Sequence, residues 1–397
     1  MPMRPPAGFI SAFYDPLKNP NAPTIGTATG GNESASVTFT APSNVGGSAI
    51  TSYTAISTPG AFTGSAASSP VTVTGLTNGS SYTFAVWATN SYGPSAFSAV
   101  SNSATPAAPI GVFGGGESNT RKNTIDYVTI SSAGNATDFG DLSSGNTGIT
   151  STGSATRGLF AMGYNGSVLS TIQYITFATT GNTTFFGNLL YSDLSGAALS
   201  NSTRAIIGGG SSPTNTINYV TIATTGDASD FGDLLSATGD LAACSSSTRG
   251  IFAAGQSGAT ITNVIQYVTI ATTGNATDFG DVTVARRNPA GCSSATRGVF
   301  GGGKTTGADA SAVNVIDYIT IASTGNATDF GDLTSKTFQL AACSDQTRGL
   351  FGGGYTTDNT NVIEYITIAT TSNATDFGDL TEARNGLAAC SNGHGGL

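Results

Sequence analysis

The chain has 397 residues, 54 of them glycine, with 38% hydrophobic and only 9% charged residues. That length suits two or three domains with sizeable cores, and so few charges exclude a coiled coil or a disordered acidic tail. Fourteen basic against 23 acidic residues give a net charge of −9, the wrong sign for a general nucleic-acid surface, and a single histidine, His394, excludes most zinc, copper and Ser-His-Asp chemistry.

Residues 1–20 form a Pro-rich arm carrying Phe9, Phe13 and Tyr14. The arm lacks the apolar stretch of a secretion signal, and no later apolar run is long enough to cross a bilayer, so no membrane insertion is expected. Aromatics this dense point to an extended segment that docks on another chain. A solvated tail is the plain alternative.

Residues 21–106 read as strand-like runs separated by short turns. Pro23 lies in the first run, Val37 and Phe39 in the second with Pro42 after it, and Gly46, Gly47 and Tyr53 mark the third. Gly75-Leu76 is followed by Tyr82, and Ala88, Asn90 and Gly93-Pro94 fit a last hairpin. This segment resembles a fibronectin type III domain. The resemblance implies a two-sheet sandwich with a tyrosine corner at Tyr82, and the role of a spacer. Phe39 stands where that family usually has Trp. The sole tryptophan, Trp87, alternates with the core positions Phe84, Val86 and Ala88. It is read either as an ordinary strand residue or as an exposed platform for a sugar.

From residue 107 onward one phrase returns six times, anchored by Tyr127, Tyr174, Tyr219, Tyr267, Tyr318 and Tyr365. The interval is roughly 45–51 residues, the range of a four-stranded propeller blade. Each copy divides into an AACSS strand, an RGLFGGG strand, a VIQYVTIATT strand and an ATDFGDL strand. The pattern is similar to the kelch repeat, with glycine runs at 114–116, 208–210, 301–303 and 352–354. Phe139, Phe186, Phe231, Phe279, Phe330 and Phe377 stand where kelch usually has Trp, and Ala161-Met162-Gly163 and Ala253-Ala254-Gly255 weaken the glycine run. The region opens on a second strand and closes on a first strand. The two ends are therefore expected to complete one blade, which removes exposed sheet edges. The expected fold is all-β: a fibronectin type III-like sandwich, then a six-bladed kelch-like β-propeller closed by the C-terminal strand.

Several motifs resemble chemistry, and repetition argues against each. Cys244, Cys292, Cys343 and Cys390 are copies of one position, expected to be buried thiols too far apart for disulfides. The DFG triplets lack a phosphate loop and a catalytic Asp, so a kinase is rejected. Their aspartates are expected to make strand-end hydrogen bonds, with calcium as the alternative. Asn135, Asn182, Asn275, Asn326 and Asn373 sit in Asn-X-Thr sequons but read as turn residues. Arg157, Arg204, Arg249, Arg297 and Arg348 are expected to make an ion pair or carbonyl contact inside each blade. Sialidases are also six-bladed and use an arginine triad, but here the arginines are spread evenly over the repeats and the Asp-box phrase of those enzymes is missing; kelch-type copper oxidases need histidines. No catalytic residue, metal or cofactor is expected.

Connections between strands one and two, and three and four, are short and nearly invariant. Those between strands two and three, and between blades, differ in length and chemistry. Variation confined to one face is expected of a binding surface on a rigid scaffold. The candidates there are Arg121, Lys122, Tyr164, Tyr191, Arg286, Arg287, Lys304, Lys336, Phe338, Tyr355, Asp358 and Arg384; aromatic and Arg residues are common interface anchors. A Ser-, Thr-, Gly- and Asn-rich chain without a secretion signal or disulfides resembles virion appendages of tailed bacteriophages: tail-fibre, baseplate or capsid-decorating proteins. That resemblance implies a non-enzymatic virion protein present in multiple copies. Its arm would attach to other virion proteins, and its propeller would bind a host-surface glycan or protein. The alternative is an exported bacterial adhesin that binds glycans; a carbohydrate-active enzyme is the weakest reading, since no paired carboxylates stand apart from the repeat.

Overall fold

The structure is a computed structural model that describes residues 17–212 and 214–397; Phe9, Phe13 and Tyr14 lie outside the described residues. The fold is all-β, and the one helical piece among the described residues is a 3₁₀ turn at Asp309–Ser311. Contacts divide the chain into two compact units, one ending at Ala108 and one spanning Pro109–Leu397.

The first unit has two antiparallel sheets. One orders Thr24–Gly31, Ser34–Thr40 and Val71–Thr74; the other orders Thr63–Ala66, Ser52–Thr58, Thr83–Asn90 and Gly93–Pro94. Period-two alternation turns Val37, Phe39, Tyr53, Val73, Phe84 and Val86 into one shared core. Trp87 points the other way and lies edge-on to Phe97, ring centroids 5.3 Å apart. Tyr82 accepts the Thr77 N–H through its hydroxyl at 3.1 Å, pinning the chain a few residues upstream.

The second unit has six four-stranded antiparallel sheets. Sheet I joins Ile110–Glu117, Thr124–Thr129 and Thr137–Asp141 to the C-terminal strand Asn385–Ser391. That strand pairs along Ile110–Glu117, with Cys390 opposite Val112 and Leu387 opposite Gly115. Sheet II contains Thr150–Gly153, Arg157–Ala161, Leu169–Thr176 and Thr184–Asp193. Sheet III contains Ala197–Ser200, Arg204–Gly208, Thr216–Thr221 and Ser229–Asp233. Sheet IV contains Ala242–Ser245, Arg249–Ala253, Val264–Thr269 and Thr277–Asp281. Sheet V contains Ala290–Ser293, Arg297–Gly301, Val315–Thr320 and Thr328–Asp332. Sheet VI contains Ala341–Ser344, Arg348–Gly352, Val362–Thr367 and Thr375–Asp379. The third strands stop earlier than the sequence pattern implied, because the Ala-Thr-Thr that follows them turns.

Each sheet is buried by its neighbours. One apolar core joins sheets I and II through Val112, Phe160 and Ile175. Others join II to III, III to IV, IV to V and V to VI. The last joins VI to I through Leu350, Ile363 and Phe113, so the order of cores returns to its start. Phe113, Phe160, Phe252, Phe300 and Phe351 are at most 1% exposed, each contributing about 2–3 kcal/mol of burial. In every sheet the anchor tyrosine meets the fourth-strand phenylalanine edge to face, at 5.8–6.1 Å. The glycine runs answer to a backbone demand: their middle position is left-handed at Gly115, Gly209, Gly302 and Gly353. Met162 and Ala254 hold the same conformation at φ 53° and 59° without glycine's freedom.

Candidate functional site

The repeated polar residues hold neighbouring sheets together. Asn182, Asn275, Asn326, Asn373 and Asn135 each accept, at 3.0–3.1 Å, the N–H of the last Asp of a DFGD strand in the preceding sheet. Asp227 does the same for Asn188. The glycine of that strand is needed because the next sheet's backbone approaches it: a methyl on Gly140 would lie 2.4 Å from the Gly181 carbonyl. Side-chain oxygens of Gln173, Gln266, Glu364 and Asp126 accept a further N–H from the loop after the preceding fourth strand, and Asn218 accepts one from Leu190 within the long fourth strand of sheet II.

The repeated arginines were expected to act inside each blade, and the structure corrects this. Each guanidinium stacks on its own sheet's tyrosine, 4.3–4.8 Å from the ring centre. It then donates across the seam to a carbonyl of the next sheet: Arg157 to Ile222, Arg204 to Ile270, Arg249 to Ile321, Arg297 to Ile368 and Arg348 to Ile130. The side chain is long enough to cross its tyrosine and reach the backbone that turns beyond the neighbouring third strand.

With the repeat committed to the seams, the variable loops remain. They gather at one end of the sheets. There Gly148, Ser195, Asp240, Asn288, Gln339 and Gly386 all adopt φ between 52° and 64°. Each N–H donates to the carbonyl of the preceding member at 2.7–3.1 Å, and Gly148 donates to Gly386, so six bonds return to their start. Outside this circle lies the residue that follows each glycine run: Glu117, Tyr164, Ser211, Gln256, Lys304 and Tyr355. Tyr164, Gln256, Lys304 and Tyr355 exchange backbone hydrogen bonds with Thr147, Gly239, Arg287 and Phe338. One backbone geometry thus presents side chains that vary among the sheets: tyrosine at two of these four positions, glutamine and lysine at the others.

The structure brings the expected residues into three groups. Arg121 stacks on Tyr164 at 4.5 Å, and Lys122 beside them pairs with Glu382. Lys304 lies 4.1 Å above Phe338, whose ring is 5.4 Å from that of Tyr355, and its ammonium reaches Asp309 at 3.0 Å. Arg287 donates to Gln256 and lies 3.7 Å from Asp240. Lys336 and Asp358 are exposed. Tyr191 is half-buried, its hydroxyl donating to the Thr216 carbonyl, and burial pushes its pKa up.

Four of the expected surface residues are buried. Arg286 and Arg384 are wholly so, paired with Asp317 and Asp126 at 2.7 and 2.8 Å, and they also donate to the Phe300 and Phe113 carbonyls. Both are therefore removed from the candidate surface: two of the six third strands carry an inward Asp, and each Asp is neutralised from its own sheet. Lys304 and Phe338 are also nearly covered, because each lies under its stacking partner. Burial lowers the pKa of both buried guanidiniums, and the partner carboxylates act against it.

At the opposite end a feature appears that the loop pattern did not signal. The hydroxyls of Ser200, Ser245, Ser293, Ser344 and Ser391 each donate to the carbonyl of the preceding first strand. His394 lies against this girdle, its Nε2 donating to Gly153 at 2.8 Å while its Nδ1 accepts the Gly396 N–H. Burial lowers its pKa, and the Gly153 carbonyl partly offsets the effect. Between the two ends, the first strands of all six sheets line a cavity of about 110 Å³. The four cysteines are free and buried, each packed on a glycine of the next sheet, such as Cys244 against Gly298. Burial pushes the Cys292 and Cys390 thiols up to about 12, so they are not nucleophilic thiolates.

Asp240 and Gln256 were not singled out from the sequence as binding residues. The available signal was the turn residue before each first strand, where Gly, Ser, Asp, Asn and Gln alternate. Burial raises the Asp240 pKa, while Asn288, Arg287, Lys304 and Ser195 pull it the other way. No known protein-family profile and no curated protein sequence matches the chain.

Proposed function

We propose that Pro109–Leu397 is a six-bladed kelch-like β-propeller closed by Asn385–Ser391, carried behind a fibronectin type III-like spacer. We further propose that the chain is a non-enzymatic binding protein of a tailed-bacteriophage virion. Its variable rim recognises a host-surface or virion partner, and the segment 1–20 attaches it to the particle. The observation that carries recognition by the rim is the constant backbone at Tyr164, Gln256, Lys304 and Tyr355 under side chains of three different kinds. The propeller reading is supported by apolar cores that pass from sheet to sheet and return to sheet I. The cyclic hydrogen bonds through Gly148 and Gly386 support it as well.

The test is immunogold labelling with an antibody to residues 17–397, applied to cells that express the gene and to particles released by their lysis. Label is expected on the particles, and deleting residues 1–20 is expected to remove it. Label confined to the outer surface of intact cells would instead favour an exported adhesin.

A further inference from the structure

Around the rim, the residue after the glycine run is long in five sheets and short in one, at Ser211. Its neighbourhood is also stripped at Gly239, which occupies the position filled by Thr147, Arg287 and Phe338 in other sheets. The outcome is a cavity of about 170 Å³ between the loops of sheets III and IV. Backbone at Gly210, Gly239 and Gly258 forms part of its wall, and Asp240, Gln256 and Arg287 supply its side chains.

These polar groups are held in place before any ligand arrives. Asp240 belongs to the backbone circle, donating to Ser195 and accepting from Asn288. Gln256 accepts from Arg287 through Oε1 and donates through Nε2 to the Gly258 carbonyl at 2.8 Å. The Arg287 Nε is buried and has no hydrogen-bond partner, a cost that a ligand acceptor can relieve.

We infer that this cavity, set by Asp240, Arg287 and Gln256, is a subsite for one neutral, hydroxyl-rich sugar ring of a longer glycan. The inference rests on recognition by the rim and names its ligand class. A carboxylate accepts two adjacent hydroxyls, while a guanidinium and an amide donate to the same or neighbouring oxygens. Because Asp240 and Arg287 largely cancel one another's charge, a ligand with net charge gains little. The cavity is below the roughly 300–1,000 Å³ of pockets that enclose whole small molecules, which fits a single ring whose neighbours continue along the rim. The half-buried Tyr355, beside the Phe338 that Lys304 covers, offers an aromatic face farther along that path, and the Lys304 backbone bridges to that of Arg287.

The test is saturation-transfer NMR on the full chain with D-galactose, D-glucose and L-rhamnose, and with D-glucuronate and glycine as charged probes. At least one neutral sugar is expected to give signal. Asp240→Asn keeps a residue type that tolerates the left-handed backbone and should weaken that signal at least tenfold. Ser211→Trp should fill the cavity and do the same, while Thr273→Ala, in an exposed turn away from the rim, should change nothing. Melting curves of each variant report whether folding is intact. Absence of signal from every neutral sugar, stronger binding of the charged probes, or indifference to both cavity variants would overturn the subsite. If the rim binds purified envelope polysaccharide and Asp240→Asn and Ser211→Trp leave that binding unchanged, the subsite is wrong and recognition by the rim stands.

Discussion

The seams between sheets and the rim above them use the same repeat in opposite ways. At a seam the side chains are kept and the job is fixed: an Asn holds the backbone N–H that follows a DFG glycine, and an Arg bridges from its tyrosine to a carbonyl next door. At the rim the backbone is kept and the side chains change, from Glu117 to Tyr164 to Lys304. In an array built of copies, a residue that recurs is thus read first as adhesive, and a constant backbone carrying unlike residues as the place for recognition. The sequons and arginines that resemble chemistry are seam residues here, and the last Asp of five DFGD strands joins the seam through its backbone N–H.

The comparison breaks if seam residues prove dispensable. The largest single effect is expected at the buried pair Arg286–Asp317, where neither side chain is exposed. Asp317→Ala leaves a buried guanidinium without its partner and should cost about 3–5 kcal/mol in denaturant unfolding of the second unit. The double variant Arg286→Met with Asp317→Leu should recover most of that loss. A single variant within about 0.5 kcal/mol of the parent would mean that this pair within sheet V does not contribute to the stability of the second unit.

His394 tests the girdle end of the sheets. Its folded pKa lies below its ordinary value of 6.5, so the unfolded chain binds the proton more readily. The histidine's contribution is therefore complete above about pH 6.5 and is lost as pH falls toward the lowered value, by at most about 1.4 kcal/mol per pH unit. Asp193, Asp240 and Glu364 have raised values and act in the opposite direction. The clean reading is the difference in stability between the parent and His394→Gln, measured from pH 7.5 to 5. That difference should shrink as pH falls; a constant difference would show that the imidazole keeps its charge state.

A smaller pair sharpens the contrast directly. Asn373→Ala removes one seam clasp and should cost about 1 kcal/mol. Lys336→Ala, on an exposed rim loop, should stay within about 0.5 kcal/mol. Equal losses in the two variants would erase the distinction between seam and rim.

The sequence made the repeat legible because each strand carries its own punctuation. Tyr127 and its five copies mark the third strands, and the fragment ending at Cys390 announces a strand whose partner lies near Val112. Chemistry across a seam was not legible. Arg249 meets the Ile321 carbonyl 72 residues away, and no local pattern states which carbonyl a long side chain will reach. Arg286 and Arg384 looked like loop charges because both lie in the connections that lead into the first strands of sheets V and I. Their burial depends on Asp317 and Asp126, which occur at an inward position that is Gln, Asn or Glu elsewhere. Asp240 was hidden for a related reason: its importance comes from a circle of six turn residues, each ordinary alone.

The central claim is that the C-terminal strand completes sheet I and thereby couples all six sheets. Scanning calorimetry of chains ending at Arg384 and at Ser391 tests it most directly. The account predicts that the chain ending at Ser391 keeps the cooperative transition of the second unit, while the chain ending at Arg384 loses that transition and retains only the first unit's. A chain ending at Arg384 whose second unit still melts cooperatively at the parent temperature would contradict it.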